Sequence, residues 1–302
     1  MKRGTTGFRD QKIAPYLFCL PFILAILVVY AYPLASSIVM SFQKVKLMGS
    51  STFVGLKNYS SLLNKHFYAA LGNTFIYAFF VVITLIPISF FVAYGLNQSF
   101  LKGKGFFRAS IFMPILTSTV ICGMLFRMMF GSSASAMVNS MLIRLGILKE
   151  PVKWLFASKG TGIFILVIVT IWRVTGQFMV YFLSGLQGVP QDLYEAARID
   201  GANGRQSMWY ITLPSIKPTL TFIVTISIMG ALSMFAESYT LWNNSTVGDI
   251  GMTIMRYLYE MGFYKNNYGL ASATGIILLL LIFLVNFIQL KCFGFSRKGE
   301  DA

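Results

Sequence analysis

Six apolar stretches, each long enough to cross a lipid bilayer, constrain this chain more than any other feature of its sequence. A membrane-spanning helix needs about 20 mainly apolar residues, and only helices or closed barrels satisfy their backbone groups inside a bilayer. The sequence therefore predicts an all-α polytopic membrane protein with about six transmembrane helices. The predicted spans cover residues 14–42, 70–96, 109–130, 162–186, 214–235 and 269–288.

Composition excludes the large class of water-soluble proteins. The 302 residues are 56% hydrophobic and 12% charged, whereas soluble domains carry about a quarter charged residues. The net charge of +15 comes from basic residues in short loops and chain ends. Basic loops beside apolar spans are typical of membrane orientation and of contact with anionic lipid, so we expect a lipid partner and no nucleic acid.

The cysteines and the single histidine predict no metal site. Cys19, Cys122 and Cys292 lie in or beside apolar stretches without a CxxC spacing, which is typical of small buried hydrophobic side chains. His66 lies in a polar loop and cannot form a metal site or a proton relay by itself.

The distribution of lysine and arginine predicts the orientation of the chain. Basic residues precede the first span, join the second span to the third and follow the sixth. The positive-inside rule places those segments, and both termini, in the cytoplasm. The bias is modest because the loops on the opposite side also contain lysines. They include Lys44, Lys57, Lys149 and Lys153.

The loop between the fourth and fifth spans, about residues 190–213, predicts a helix–turn–helix at the membrane surface, which we name the elbow. Pro190 suits a helix start, and Asp192 and Glu195 place negative charge near the positive end of that helix. Gly201 and Gly204 permit a stop and a turn. An interfacial amphipathic connector would show the same local features.

The spacing within the elbow distinguishes these alternatives. Three residues separate Glu-Ala-Ala from a glycine, and nine more separate that glycine from Ile-x-Leu-Pro. This pattern resembles the EAA loop of ABC importer permeases. The matching positions are Glu195, Ala196, Ala197, Gly201, Ile211, Leu213 and Pro214.

The resemblance extends over essentially the whole chain. Residues 188–194, residues 53–59 and the pair Asn73-Thr74 are similar to the carbohydrate-uptake branch, in particular to maltose-type F permeases. Residues 234–239, with Trp242, look like permeases for arabinose-containing oligosaccharides. The resemblance implies a type I ABC importer permease fold, one transmembrane permease domain over residues 1–302, and a location in the bacterial cell membrane.

The resemblance also implies that transport and ATP hydrolysis are carried out by different subunits. The sequence contains no GxxxxGK[ST] motif, so the chain has no P-loop for ATP phosphates, and we expect a transport subunit that is not an enzyme. The implied partners are a sister permease, two copies of a cytoplasmic ABC ATPase that uses ATP and Mg, an extracellular solute-binding protein and a sugar. The resemblance further implies that eight elbow residues contact the ATPase. They are Glu195, Ala196, Ala197, Asp200, Gly201, Ile211, Leu213 and Pro214.

Polar side chains at membrane depth are candidates for the sugar path, because such groups are costly there and commonly face an interior cavity. Ser233 and Glu237 are predicted to share one helix face, as are Asn73 and Tyr77. Arg127, in the third span, is polar as well. The predicted substrate-path residues are Trp172, Arg173, Gln177, Ser233, Glu237, Asn73 and Tyr77.

Three alternatives remain open at this point. An Arg173–Glu237 pair would also be explained as a purely structural ion pair between helices. An ion-coupled secondary transporter predicts acidic residues deep in the spans and repeated halves. A membrane-embedded enzyme predicts a nucleophile with a base, or a metal cluster, and the sequence shows neither.

Overall fold

The computed structural model describes residues 8–45, 51–98, 101–242 and 247–293. Within those ranges, helices dominate, and a two-residue antiparallel hairpin of β1 (Gln43–Lys44) and β2 (Thr52–Phe53) is the only sheet. In this described part of the chain, five helical segments are long and apolar enough to cross a membrane, or six if one bent pair counts as a span. The prediction of an all-α polytopic membrane protein is confirmed.

The helices follow the predicted spans closely, with several interruptions. The first span consists of α1 (Phe8–Ile26), a π-helical turn (Leu27–Ala31) and α2 (Tyr32–Ser41). The other helices are α3 (Lys57–Ser61), α4 (Lys65–Asn97), α5 (Lys104–Leu116), α6 (Thr119–Met129), α7 (Met137–Arg144), α8 (Lys159–Gln187), α9 (Gln191–Ile199), α10 (Gly204–Ser207), α11 (Leu213–Ser215), α12 (Lys217–Leu232), α13 (Ala236–Trp242), α14 (Ile254–Tyr259) and α15 (Tyr268–Cys292). Short π or 3₁₀ turns cover Met208–Thr212, Val247–Asp249 and Glu260–Tyr264.

The described helices group into two compact units. The first unit contains the residues up to Leu63 and Leu258–Ile277. Its β-hairpin is fastened by Asn58, whose Nδ2 donates to the carbonyls of Ser41 at 2.8 Å and Gln43 at 2.9 Å. The second unit contains Asn64–Tyr257 and the residues from Leu278 onward, and it holds every candidate site residue. A single permease domain over residues 1–302 stays a prediction.

The third span differs from the prediction of one helix over residues 109–130. Helices α5 and α6 meet at a bend of 93°. Pro114 has no N–H to donate to the preceding turn, which weakens α5 just before it ends at Leu116. Thr117 and Ser118 then have ψ angles of 138° and 132°, which do not continue a helix. The bend brings Thr119, the first residue of α6, to the wall of the cavity described below.

The fifth span is also interrupted. It was predicted over residues 214–235, but α12 begins at Lys217 and ends at Leu232, and three residues separate it from α13. The break frees the carbonyl of Met234, which accepts a hydrogen bond of 2.9 Å from Thr253 Oγ1. Ser233 and Glu237 therefore do not share the face of one continuous helix.

Helix α8 is the centre of the second unit, with 61% of its most apolar window buried. Its packing against α4 includes the rings of Phe182 and Phe90, whose centroids are 5.5 Å apart. Its packing against α5 depends on Gly176. A Cβ atom on Gly176 would overlap the carbonyl oxygen of Ile111 and lie 2.6 Å from Phe112 Cα.

We expect Gly176→Ala to destabilise the protein by about 1–3 kcal/mol, because the added methyl group would push α5 away from α8. Thermal unfolding of the purified protein in detergent measures the effect. Gly95→Ala is the matched control, since Gly95 lies in α4 with open space around its Cβ position. Equal unfolding temperatures for the two variants would contradict the close α5–α8 contact.

Candidate functional site

The first helix of the elbow ends in a specific backbone motif. Helix α9 runs from Gln191 to Ile199, and Asp200 caps its C-terminus. Gly201 has φ +80°, and the N–H groups of Gly201 and Ala202 donate to the carbonyls of Arg198 and Ala197 at 3.1 and 2.8 Å. This is the Schellman arrangement, in which a left-handed residue, usually glycine, closes the helix. The predicted stop at Gly201 is confirmed.

The second half of the elbow begins with a capping box. Asn203 Oδ1 accepts from the Gln206 N–H at 2.9 Å, and Gln206 Oε1 accepts from the Asn203 N–H at 2.8 Å. Helix α10 then passes through the π turn of Met208–Thr212 into α11. Pro214 lies inside α11, and the fifth span begins three residues later.

A partly buried hydrogen bond, which we call the clamp, joins the two halves of the elbow. Tyr194 Oη and Thr212 Oγ1 are 2.9 Å apart, and Thr212 is buried. Ile211 and Leu213 pack against the apolar core of the helices. This clamp was not predicted from the sequence, because Tyr194 and Thr212 are 18 positions apart and neither belongs to the matched pattern.

The opposite side of the elbow is open to solvent. Glu195, Ala196, Asp200 and Gly201 are exposed, and Ala197 is half-buried. Ile199, one helical turn after Glu195, is 87% exposed. Ile199 was not among the predicted elbow residues, although its position four residues after Glu195 places both side chains on one face of α9.

A cavity of about 470 Å³ lies between the spans, and we call it the polar cavity because charged and hydroxyl side chains interrupt its mainly apolar lining. Its walls come from α4, α8, α12, α13 and the first residue of α6. Arg173 and Glu237 form an ion pair across it, with Nη2 and Nε of the arginine 2.6 and 3.1 Å from Glu237 Oε1. Both side chains are largely buried, at 18% and 6% exposed.

The cavity brings together most of the predicted substrate-path residues. Those that line it are Tyr77, Arg173, Gln177, Ser233 and Glu237. Gln177 Nε2 donates to Tyr181 Oη at 2.8 Å, and Tyr77 Oη lies 2.8 Å from Thr170 Oγ1. Thr170, Ser227 and Thr119 also line the cavity and were missed, because a hydroxyl in an apolar helix gives no sign of the direction in which it points.

Two predicted path residues lie outside the lining of this cavity. Asn73 is buried and its Nδ2 donates to the carbonyls of Asp249 at 2.8 Å and Met252 at 3.0 Å, so it fastens the loop before α14. Trp172 is 43% exposed, and its ring centroid lies 5.5 Å from that of Phe126. Asn73 and Tyr77 therefore have different surroundings despite their spacing of one helical turn.

The described residues contain no cluster of three or more His, Cys, Asp or Glu side chains that would hold a metal ion. His66 instead pairs with Asp249, with Nδ1 and Oδ1 2.9 Å apart.

Membrane-spanning helices around a polar cavity, joined by a surface elbow, define a multi-pass membrane transport subunit. The chain belongs to the family described as binding-protein-dependent transport system inner membrane component, whose model matches residues 85–291. Family membership favours a permease without its own ATPase site over an ion-coupled transporter or a membrane-embedded enzyme.

Individual relatives agree with this assignment. The chain is 45% identical to the arabinooligosaccharides transport system permease protein AraP of Bacillus subtilis, over 98% of this chain and 94% of the relative. It is 43% identical to the protein of that name from Halalkalibacterium halodurans, over 98% and 92%. A chain of a bacterial ABC transporter involved in the import of the acidic polysaccharide alginate has the same fold, with a TM-score of 0.81, 24% identity and coverage of 94% and 96%.

Proposed function

We propose that the chain is one of two permease subunits of an ATP-driven oligosaccharide importer, and that the polar cavity is its part of the sugar path. The observation that carries this proposal is the connection between the elbow and the cavity. Helices α8 and α12 both line the cavity, and the elbow is the segment that joins them. A force applied to the elbow therefore acts on two walls of the cavity.

Helices α8 and α12 are tightly packed at the ends that the elbow joins. A Cβ atom on Gly185, near the end of α8, would lie 2.7 Å from Thr219 Oγ1, near the start of α12. The Tyr194–Thr212 clamp adds a second link between the two sides. Interfaces that are close-packed move as rigid bodies rather than deforming gradually, which suits transmission of a motion from the elbow.

The cycle follows from this geometry as conformational gating, with no covalent chemistry on the sugar. Two copies of a cytoplasmic ATPase bind ATP and Mg and hold the elbows of this chain and its sister permease. Glu195 anchors the elbow to a basic group of the ATPase, the small side chains of Ala196 and Ala197 allow close approach, and Gly201 sets the turn. Closure of the ATPases opens the path outward, an extracellular solute-binding protein delivers sugar, and hydrolysis resets the complex.

The sugar assignment draws on the cavity and on the relatives named for arabinooligosaccharides. Guanidinium, carboxylate, amide and hydroxyl groups supply the hydrogen bonds that sugar hydroxyls need. Phe178 and Phe235 add aromatic surface to the same lining. The elbow faces the cytoplasm in this proposal, and with it both termini.

Uptake by proteoliposomes tests the proposal. The complete complex, with ATP enclosed and the binding protein outside, is expected to accumulate a labelled arabinose oligosaccharide, and vanadate is expected to stop it. Accumulation driven by a proton or sodium gradient without ATP would contradict the proposal, as would chemical conversion of the sugar by the complex.

A further inference from the structure

Arg173 and Glu237 are the only charged side chains among the described residues that line the polar cavity. They come from different spans, α8 and α13, and meet through the two hydrogen bonds described above. Charges at membrane depth are costly unless they are paired, so the pair explains how both remain there. The pair also sets the net charge of the described cavity wall to zero.

The geometry of the pair leaves groups available to a ligand. Both hydrogen bonds from Arg173 end on Glu237 Oε1. Glu237 Oε2 and the Nη1 amino group of Arg173 have no hydrogen-bond partner among the described residues. The free oxygen can accept a hydrogen bond from a sugar hydroxyl, and the free amino group can donate one to another sugar hydroxyl.

We propose that Glu237 is a specificity-determining residue that makes the cavity accept uncharged oligosaccharides and reject charged ones. This inference rests on the proposed function of the cavity as a sugar path. A uronic-acid carboxylate or an amino-sugar ammonium group loses hydration when it enters the cavity. Because Arg173 and Glu237 neutralise each other, the described wall offers no unpaired opposite charge to offset that loss.

Charge neutralisation by the pair predicts opposite changes for two substitutions that each remove one charge. Glu237→Gln unmasks the guanidinium and raises the affinity for a uronic-acid trisaccharide relative to a neutral one by about tenfold or more. Arg173→Gln unmasks the carboxylate and raises the relative affinity for an amino-sugar trisaccharide by a similar factor. Glu237→Asp keeps the charge and is expected to keep the preference for the neutral sugar.

Saturation-transfer NMR on the complete complex in lipid nanodiscs measures these affinities without the solute-binding protein, which has its own selectivity. The probes are neutral, uronic-acid and amino-sugar trisaccharides of equal length. Glu150→Gln removes the same charge at an exposed position outside the cavity and is expected to match the wild type. The double variant Arg173→Gln/Glu237→Gln is expected to show neither gain.

The outcomes separate this inference from the function on which it rests. If the wild-type complex binds none of the neutral probe, the proposed function of the cavity fails. If it binds the neutral probe and either single variant assembles without its predicted gain, charge neutralisation by the pair is overturned while the sugar path stands. Because the two variants act in opposite directions, one assembled variant is enough to decide.

Discussion

Glu195→Lys is expected to lower sugar uptake at least about thirtyfold while the protein remains inserted in the membrane at its normal level. Glu195 is exposed on α9 and takes part in neither ion pair found among the described residues. Reversal of its charge therefore breaks no ion pair within the described fold. Loss of a charged contact in a protein interface costs about 2–5 kcal/mol, and reversal of the charge adds repulsion. Thirtyfold corresponds to the lower end of that range, about 2 kcal/mol.

Two measurements check this prediction together: transport in whole cells, and co-purification of the ATPase with the permease. Both are expected to fall in Glu195→Lys. Glu150→Lys makes the same charge change at an exposed position outside the elbow and is expected to leave both unchanged. Normal uptake by Glu195→Lys would contradict the coupling role of Glu195.

Substitutions at the two glycines of the elbow give a second prediction for its contact with the ATPase. Gly201 and Gly204 both have open space around the Cβ position, but Gly201 alone of the two has a positive φ. A β-branched residue strongly disfavours that conformation. Gly201→Val is therefore expected to impair uptake, and so is Gly201→Asp, whereas Gly204→Val is expected to be nearly neutral. Equal effects of the two valine substitutions would show that side-chain volume, and not the backbone turn, is responsible.

Glu237→Ala is expected to be among the most destabilising single substitutions in the spans, because it leaves Arg173 buried without its counter-charge. Removal of one partner of a buried ion pair costs about 3–5 kcal/mol. The double variant Arg173→Ala/Glu237→Ala removes both charges, and we expect it to recover part of that loss. Thermal unfolding of the four proteins in detergent completes a double-mutant cycle, and a coupling energy near zero would contradict the ion pair.

The same cycle separates a structural pair from a sugar-binding one. If Arg173 and Glu237 contact sugar, the stable double variant loses affinity for the neutral oligosaccharide. If the double variant, or Arg173→Ala alone, transports with unchanged affinity and preference, the pair only joins α8 to α13.

Sequence alone predicted the spans and the elbow because both depend on local patterns. An apolar run of about 20 residues predicts a span. Pro190, Gly201 and Gly204 predict the start, the stop and the turn of the elbow. Those signals lie within short windows, so no knowledge of tertiary contacts is needed. The stop at Gly201 belongs to this class.

The interruption of the fifth span depends on a contact between residues distant in sequence, which a short sequence window does not contain. Residues 214–235 are apolar over most of their length and therefore look like one continuous span. The third span, in contrast, contains a local signal for its bend in Pro114. The break after Leu232 is tolerated because Thr253, distant in sequence, satisfies the carbonyl of Met234. Asn73 illustrates the same limit, since only the loop carbonyls at Asp249 and Met252 show that it fastens structure outside the cavity lining.

Cysteine cross-linking at Ile199 tests the central claim most directly, namely that the elbow is the contact between this permease and its ATPase. In a background where Cys19, Cys122 and Cys292 are replaced, Ile199→Cys is expected to form a cross-link to the ATPase subunit. Ile147→Cys, also exposed, provides the control outside the elbow. It is expected to react with a membrane-impermeant maleimide added to the outside of cells and to form no cross-link. Reaction of Ile199→Cys with the external reagent, without a cross-link to the ATPase, would contradict the account.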